Sequence, residues 1–218
     1  MTFGIMSSKS YQRINFFERF APYYDILIDF LTFGLYAKFL KRAVEILSPK
    51  NGEKILDLCS GTGRVASWIA RAVGREGEVI GMDIAKSMVE VAKKRYRRLE
   101  NVIFQQKDVT ESWEYQSCFD GIFISFALHE LPDSERLGVL QRSYLALKEE
   151  GRIVIADFNS QISGRVKILL ITFFKLFERE NLNFFSFDPY KILKGVGFKK
   201  IKTFPILYGV LQITLGHR

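Results

Sequence analysis

The chain has 218 residues, 48% of them hydrophobic, enough for one domain with a substantial buried core. Its 32 Lys and Arg stand against 24 Asp and Glu, a net charge of +8 whose summed field attracts anions such as nucleic acid, anionic lipid or acidic metabolites. Two cysteines, Cys59 and Cys118, supply neither metal-ligand spacing nor a disulfide framework, and the N-terminus lacks a secretory pattern, so no metal and a cytoplasmic location are expected.

From Tyr11 to Leu47 apolar residues recur at helical spacing, with breaks at Ala21-Pro22 and near Thr32-Phe33-Gly34 and stop signals at Ser48-Pro49 and Asn51-Gly52. This predicts a helical cap over 1–50. Lys54–Leu58 reads as a buried strand, followed by a glycine-containing turn and a helix over Arg64–Ala72. The alternation continues with a strand Glu78–Met82, a helix Lys86–Leu99, strands Val102–Gln106 and Gly121–Ser125, a helix from Asp133 to Leu147 and a strand Arg152–Ala156. Strands alternating with helices of this length build a doubly wound, mostly parallel α/β sheet, here the core over 51–158. A helical insertion follows over 159–187, with its helix at Ser163–Arg179, where the apolar run Ile168–Phe174 is too short to cross a bilayer. The last segment, 188–218, carries a short helix from Asp188 to Leu193 ended by Gly195 or Gly197, then strands Lys200–Pro205 and Leu211–Leu215 joined as an antiparallel hairpin through Tyr208-Gly209.

In such sheets ligands bind beyond the carboxyl ends of the strands, and acids recur there: Asp57 at the first strand, Asp83 after the second, Asp108 after the third. Gly61-Thr62-Gly63-Arg64-Val65-Ala66 also satisfies the dinucleotide fingerprint, which keeps an NAD-dependent oxidoreductase as an alternative, beside a non-catalytic cofactor-binding module. A carboxylate at the entrance of the loop repels a pyrophosphate but favours a cofactor carrying an ammonium and a sulfonium, so Asp57 points to S-adenosylmethionine. Gly61 and Gly63 allow the backbone to approach the ligand. Asp83 is suited to accept both ribose hydroxyl protons and Asp108 the adenine amino group, with the Val109 amide nearby. Ile84 and Met88 are candidates to pack on adenine.

The chain resembles class I S-adenosylmethionine-dependent methyltransferases through Ile55-Leu56-Asp57-Leu58-Cys59-Ser60-Gly61-Thr62-Gly63, Gly81-Met82-Asp83-Ile84, Asp108 and Phe119 to Pro132. The resemblance implies a Rossmann-like sheet of seven strands with the last one antiparallel, and it implies the cofactor roles given above, with Cys59 and Ser125 at the same site. Cys59 stands where the family often has Gly and reads as small packing. Within that superfamily the chain is similar to the ubiquinone and menaquinone biosynthesis C-methyltransferases, through Phe17-Glu18-Arg19-Phe20-Ala21-Pro22-Tyr23-Tyr24-Asp25 and Phe33-Gly34. It departs from that branch at His129-Glu130, where an Arg-Asn pair is usual.

Methyl transfer is an in-line displacement, so the protein positions donor and acceptor and removes the proton the acceptor loses. His129, after the fourth strand, is the candidate general base. Tyr24, with Tyr23 and Asp25, is the candidate to close over the donor methyl. Phe173, Phe174, Phe177, Phe184, Phe185 and Phe187, interspersed with Lys167, Lys175 and Arg179, suit an amphipathic lid that touches an anionic membrane and admits a lipophilic acceptor, either a quinol precursor or a phospholipid amine. No Asn/Asp-Pro-Pro-aromatic motif follows the fourth strand, where Ser125-Phe126-Ala127-Leu128 stands, so a nucleic-acid substrate is not expected.

Overall fold

The computed structural model describes residues 21–159 and 187–218. Their helices are α1 (Tyr24–Leu31), α2 (Leu35–Leu47), α3 (Arg64–Val73), α4 (Lys86–Arg95), α5 (Asp133–Ala146) and α6 (Pro189–Val196). The strands are β1 (Lys54–Leu58), β2 (Glu78–Asp83), β3 (Val102–Gln106), β4 (Phe119–Ser125), β5 (Leu147–Phe158), β6 (Lys199–Ile206) and β7 (Leu211–His217). They form one seven-stranded sheet in the order β3-β2-β1-β4-β5-β7-β6. The chain starts in the middle, winds outward through β2 and β3, then returns to lay β4 on the other side of β1. That reversal opens a crevice above the carboxyl ends of β1 and β4. β7 inserts antiparallel between β5 and β6, as the resemblance implied.

Side chains alternate across this sheet and divide the core in two. Ile55, Val79, Phe123 and Val154 pack with α2, α3 and α4 on one face. Leu56, Leu58, Ile80, Ile122 and Ile155 pack with α5 and α6 on the other. Asp57 falls on the Ile55 face by the same alternation, and this parity puts its carboxyl beneath the start of α3.

Local chemistry sets the helix ends. Asp188 accepts from the Lys191 amide, Pro189 occupies the first turn of α6, and Gly197 closes it with φ 115°. Thr32 donates its hydroxyl to the Ile28 carbonyl at the end of α1, and Gly34, φ 74°, starts α2.

Some boundaries differ from the sequence reading. α4 ends at Arg95 rather than Leu99, because Tyr96 and Leu99 fold inward against the α3-side core. β4 begins at Phe119, and β5 runs from Leu147 to Phe158, well past the expected Arg152–Ala156, because pairing with β4 and β7 on both edges holds it extended. The expected helix Ser163–Arg179, with Phe173, Phe174, Phe177, Phe184 and Phe185, lies outside the described residues, as does the cap before Ala21. Phe187 is no part of a lid: it is fully buried in the α5-side core, with the Arg136 guanidinium 4.5 Å over its ring. Among the described residues no helix is long and apolar enough to cross a membrane.

Candidate active site

The turn from β1 to α3 is held by its neighbours rather than by itself. The Ser60 amide donates to the Met82 carbonyl (2.8 Å), and the Gly61 amide donates to Asp83 Oδ2 (2.8 Å). Asp83 Oδ1 accepts from the Ala85 amide (2.9 Å), so the acid at the end of β2 is aimed by backbone on both sides. Cys59, Gly61 and Gly63 have φ of 57°, 53° and 77°. At Gly63 an added Cβ would lie 2.5 Å from the Phe104 ring and 2.9 Å from Ala92, whereas at Gly61 it would meet nothing within 4 Å. Gly63 is therefore a packing requirement, and Gly61 faces the open space above the loop.

Asp57 does not stand at the mouth of that loop. It is 1% exposed beneath it, and neither carboxylate oxygen has a hydrogen-bond partner of ordinary geometry. Burial, then the neighbouring Asp83 charge, push its pKa well above the usual carboxylate range, with the Ala66 backbone at the α3 N-terminus opposing. Ser60 Oγ is likewise buried without a partner. A loop that leaves a buried carboxyl and hydroxyl unsatisfied below open space fits a polar, cationic ligand lying across it. Burial, with Asp83 and Asp57 alongside, drives the Cys59 thiol well above its ordinary pKa, which removes it as a nucleophile.

Asp108 Oδ1 accepts from the amide (2.8 Å) and hydroxyl (2.7 Å) of Thr110, tying its own turn. The Val109 carbonyl accepts from Trp113 Nε1 and Arg142. Ile84 is half-buried, its carbonyl accepting from Gln106 Nε2, while Met88 is buried with Ala85 against Ala21 and Tyr24 of the cap. Ser125 is the half-buried last residue of β4.

The cap is clamped onto this loop by charges. Thr62 Oγ1 donates to Asp25 Oδ2 (2.8 Å), Arg64 Nε lies 3.3 Å from Asp25 Oδ1, and Arg95 also bonds Asp25. A second Arg64 nitrogen donates to Asp29 (2.8 Å). Beside Asp25 in the chain, Tyr24 is bonded to Tyr36, and burial raises both phenols above their ordinary pKa, Tyr36 strongly. Each stays a neutral phenol at physiological pH.

From Tyr36 a row of rings leads to His129. Tyr36 stacks on Phe126 (5.1 Å), Phe126 meets Phe158 edge-on (5.4 Å), and Phe158 meets the His129 ring edge-on (5.0 Å). His129 sits in a single 3₁₀ turn, Leu128–Glu130, after β4. Its Nδ1 is 2.6 Å from Asp157 Oδ1, and its amide donates to Asp157 Oδ2 (3.3 Å). Asp157 is fully buried at the end of β5 and takes a further bond from the Phe158 amide (2.8 Å). A carboxylate only accepts, so Nδ1 carries the proton and Nε2 is the basic nitrogen. Glu130 Oε1 lies 3.8 Å from Nε2.

Sequence reasoning missed Asp157, Tyr36, Phe126 and Phe158. A strand extended by two residues, to Phe158, would have put Asp157 in the same strand-end series as Asp57 and Asp83.

Comparison with known proteins gives the family and agrees with the fold. The model of the "ubiE/COQ5 methyltransferase family" matches residues 5–195. The chain is 28% identical to the 2-phytyl-1,4-naphtoquinone methyltransferase of Thermosynechococcus vestitus over 93% of this chain and 97% of that protein. It is 32% identical to the demethylmenaquinone methyltransferase of Lactobacillus johnsonii over 85% of this chain and 77% of that one. In fold it matches the crystal structure of a SAM dependent methyltransferase from Aquifex aeolicus with a TM-score of 0.62 at 18% identity, covering 82% of this chain and 88% of that one.

Proposed function

Because the chain belongs to the ubiE/COQ5 methyltransferase family and uses S-adenosylmethionine, we propose that it methylates a ring carbon of a lipophilic quinol. The observation that carries this reading is the His129–Asp157 pair at the end of the ring series Tyr36, Phe126 and Phe158. The names of its relatives, which specify naphthoquinone and menaquinone precursors, support the same acceptor class.

S-adenosylmethionine supplies an electrophilic methyl group on a sulfonium. Asp83, its carboxylate already fixed by the Gly61 and Ala85 amides, would accept from the ribose hydroxyls. Asp108 and the Val109 amide would hold adenine, with Ile84 and Met88 supplying apolar packing for it. The backbone at Cys59 and Gly61, on a turn that Gly63 lets pack against Phe104, would receive the methionine end with Ser125 across the crevice, and its ammonium would favour the charged form of Asp57. The aromatic row offers faces and edges to a planar acceptor ring. His129 Nε2 would take the proton of the quinol hydroxyl, pushing electron density onto the adjacent ring carbon, which gains the methyl group as the sulfur–methyl bond breaks and a neutral thioether leaves. Asp157 holds the imidazole in the needed tautomer and stabilises the imidazolium. Loss of the ring proton restores aromaticity. Tyr24, a neutral phenol, donates to an acceptor oxygen and orients it. Such an acceptor resides in a bilayer, so the protein works in peripheral contact with a membrane.

The test is incubation with labelled S-adenosylmethionine and either a reduced demethylnaphthoquinone or phosphatidylethanolamine. Label is expected on a ring carbon of the quinol. Label on the phospholipid nitrogen alone would replace this reading with the amine one.

A further inference from the structure

α1 is inside out. Its buried residue is Asp25, and the side turned to the protein also carries Asp29, both tied to Arg64 as described. The side turned to solvent is apolar: Tyr23, Ile26, Leu27, Phe30, Leu31 and the following Phe33 are exposed, Phe30 at 76% and Phe33 at 90%. A helix in a water-soluble protein puts its apolar side on the core. Here the inward carboxylates make that impossible, because turning the helix over would break the Asp25 bonds to Thr62 and Arg95. The apolar side is therefore held outward by the same contacts that lock the cap onto the cofactor loop.

What this surface meets is indicated by its surroundings. At the N-terminal end of α1, Pro22 lines a cavity of about 610 Å³ with Val91, Lys94, Arg95, Arg97 and Arg98. Among the described residues Lys94, Arg97 and Arg98 have no carboxylate partner, and the chain carries a net charge of +8. An outward apolar helix beside a cluster of unpaired cations matches an anionic leaflet, with acyl chains taking the rings and phosphates the guanidinium groups. A second copy of the chain would bring an equal cluster of cations against the first and is disfavoured by the same charges.

We propose that α1 and the basic cavity beside it are the membrane-docking surface, lying in the headgroup region of an anionic phospholipid leaflet. The inference rests on the acceptor reading above in giving the contact a purpose. It puts a membrane contact on the cap, whose inner side holds Tyr24 and meets the β1–α3 loop. A quinol leaving the leaflet then enters the crevice beside the helix that anchors the enzyme.

Co-sedimentation of the full chain with phosphatidylcholine vesicles, with and without phosphatidylglycerol, tests this without any turnover. Strong binding is expected only with phosphatidylglycerol, falling as salt rises. The double variant Ile26→Glu/Phe30→Glu changes exposed side chains, so its thermal melt should match the wild type while vesicle binding falls at least about tenfold. Arg97→Glu/Arg98→Glu should lower binding by a similar factor on phosphatidylglycerol vesicles. Both variants should keep wild-type turnover on a water-soluble phenolic acceptor and lose it on one embedded in vesicles. Wild-type vesicle binding by Ile26→Glu/Phe30→Glu would overturn the proposal, as would a wild type that binds neither vesicle. A dimer by light scattering that this variant dissolves, with no vesicle binding in either protein, would assign the surface to a second copy. Failure of quinol methylation with vesicle binding intact would sink the acceptor reading instead.

Discussion

The proposed donor and acceptor sides of the crevice are made by different means. The donor side is largely backbone: β1 turns into α3 over glycine dihedrals, and the Gly61 and Ala85 amides aim one acid, Asp83, all close together in the chain. The acceptor side is assembled from side chains far apart in the chain, Tyr24 and Tyr36 from the cap, Phe126 and His129 after β4, and Asp157 and Phe158 at the end of β5. A site built of backbone follows from local sequence, whereas one built of side chains depends on how the sheet is ordered.

Substitutions that separate the two sides test whether they act independently. The largest effect is expected at His129→Ala, a fall in kcat of roughly 10²–10⁴-fold with affinity for S-adenosylhomocysteine unchanged by calorimetry. Asp157→Asn should reproduce much of that fall and shift the pH–rate profile, since an amide can leave the imidazole in the wrong tautomer. An equal loss of cofactor affinity in either variant would join the two sides into one. Asp83→Ala should raise the cofactor dissociation constant by about 100-fold, through the lost charged hydrogen bonds to ribose and the released Gly61 amide.

Gly63→Ala should cost about 2–3 kcal/mol of stability, seen in urea unfolding, because its φ is 77° and the new Cβ meets Phe104. Gly61→Ala faces open space and should cost about 1 kcal/mol, with the larger effect on cofactor affinity. The smallest effect concerns Asp57. An acid whose folded pKa lies above its unfolded value holds its proton more tightly in the native state. Its stabilising effect is complete below the unfolded value and is lost as pH rises toward the folded one. Asp57→Asn should therefore raise the melting temperature of the cofactor-free protein at neutral pH by a few degrees and flatten its dependence on pH, while weakening cofactor binding. A melting temperature that falls would mean that the carboxylate is satisfied in the native state.

Much of the core was legible because its signals are local. β1 was read as Lys54–Leu58 from its apolar run, and the acids Asp57, Asp83 and Asp108 were read at successive strand ends, where the structure has them at or just beyond β1, β2 and β3. The reason given for Asp57 did not survive in its original form, since strand parity buries the carboxyl under α3 rather than setting it at the loop entrance. His129 was singled out by its place after β4, but its partner lies 28 residues away and meets it only because β4 and β5 are neighbours. The cap was read as helical without a way to know which side faces inward. Helical periodicity in α1 marks an apolar side, and the sequence normally assigns that side to the core.

What the sequence alone determined was thus the sheet's alternation, the glycine turn and the acids at the strand ends, all consequences of patterns within a few residues. Only the tertiary structure decided that Asp25 and Asp29 turn inward to Arg64, that Asp157 orients His129 and that a row of rings joins the cap to His129. Those are pairings between distant segments, and their energies depend on burial and distance that no single segment contains.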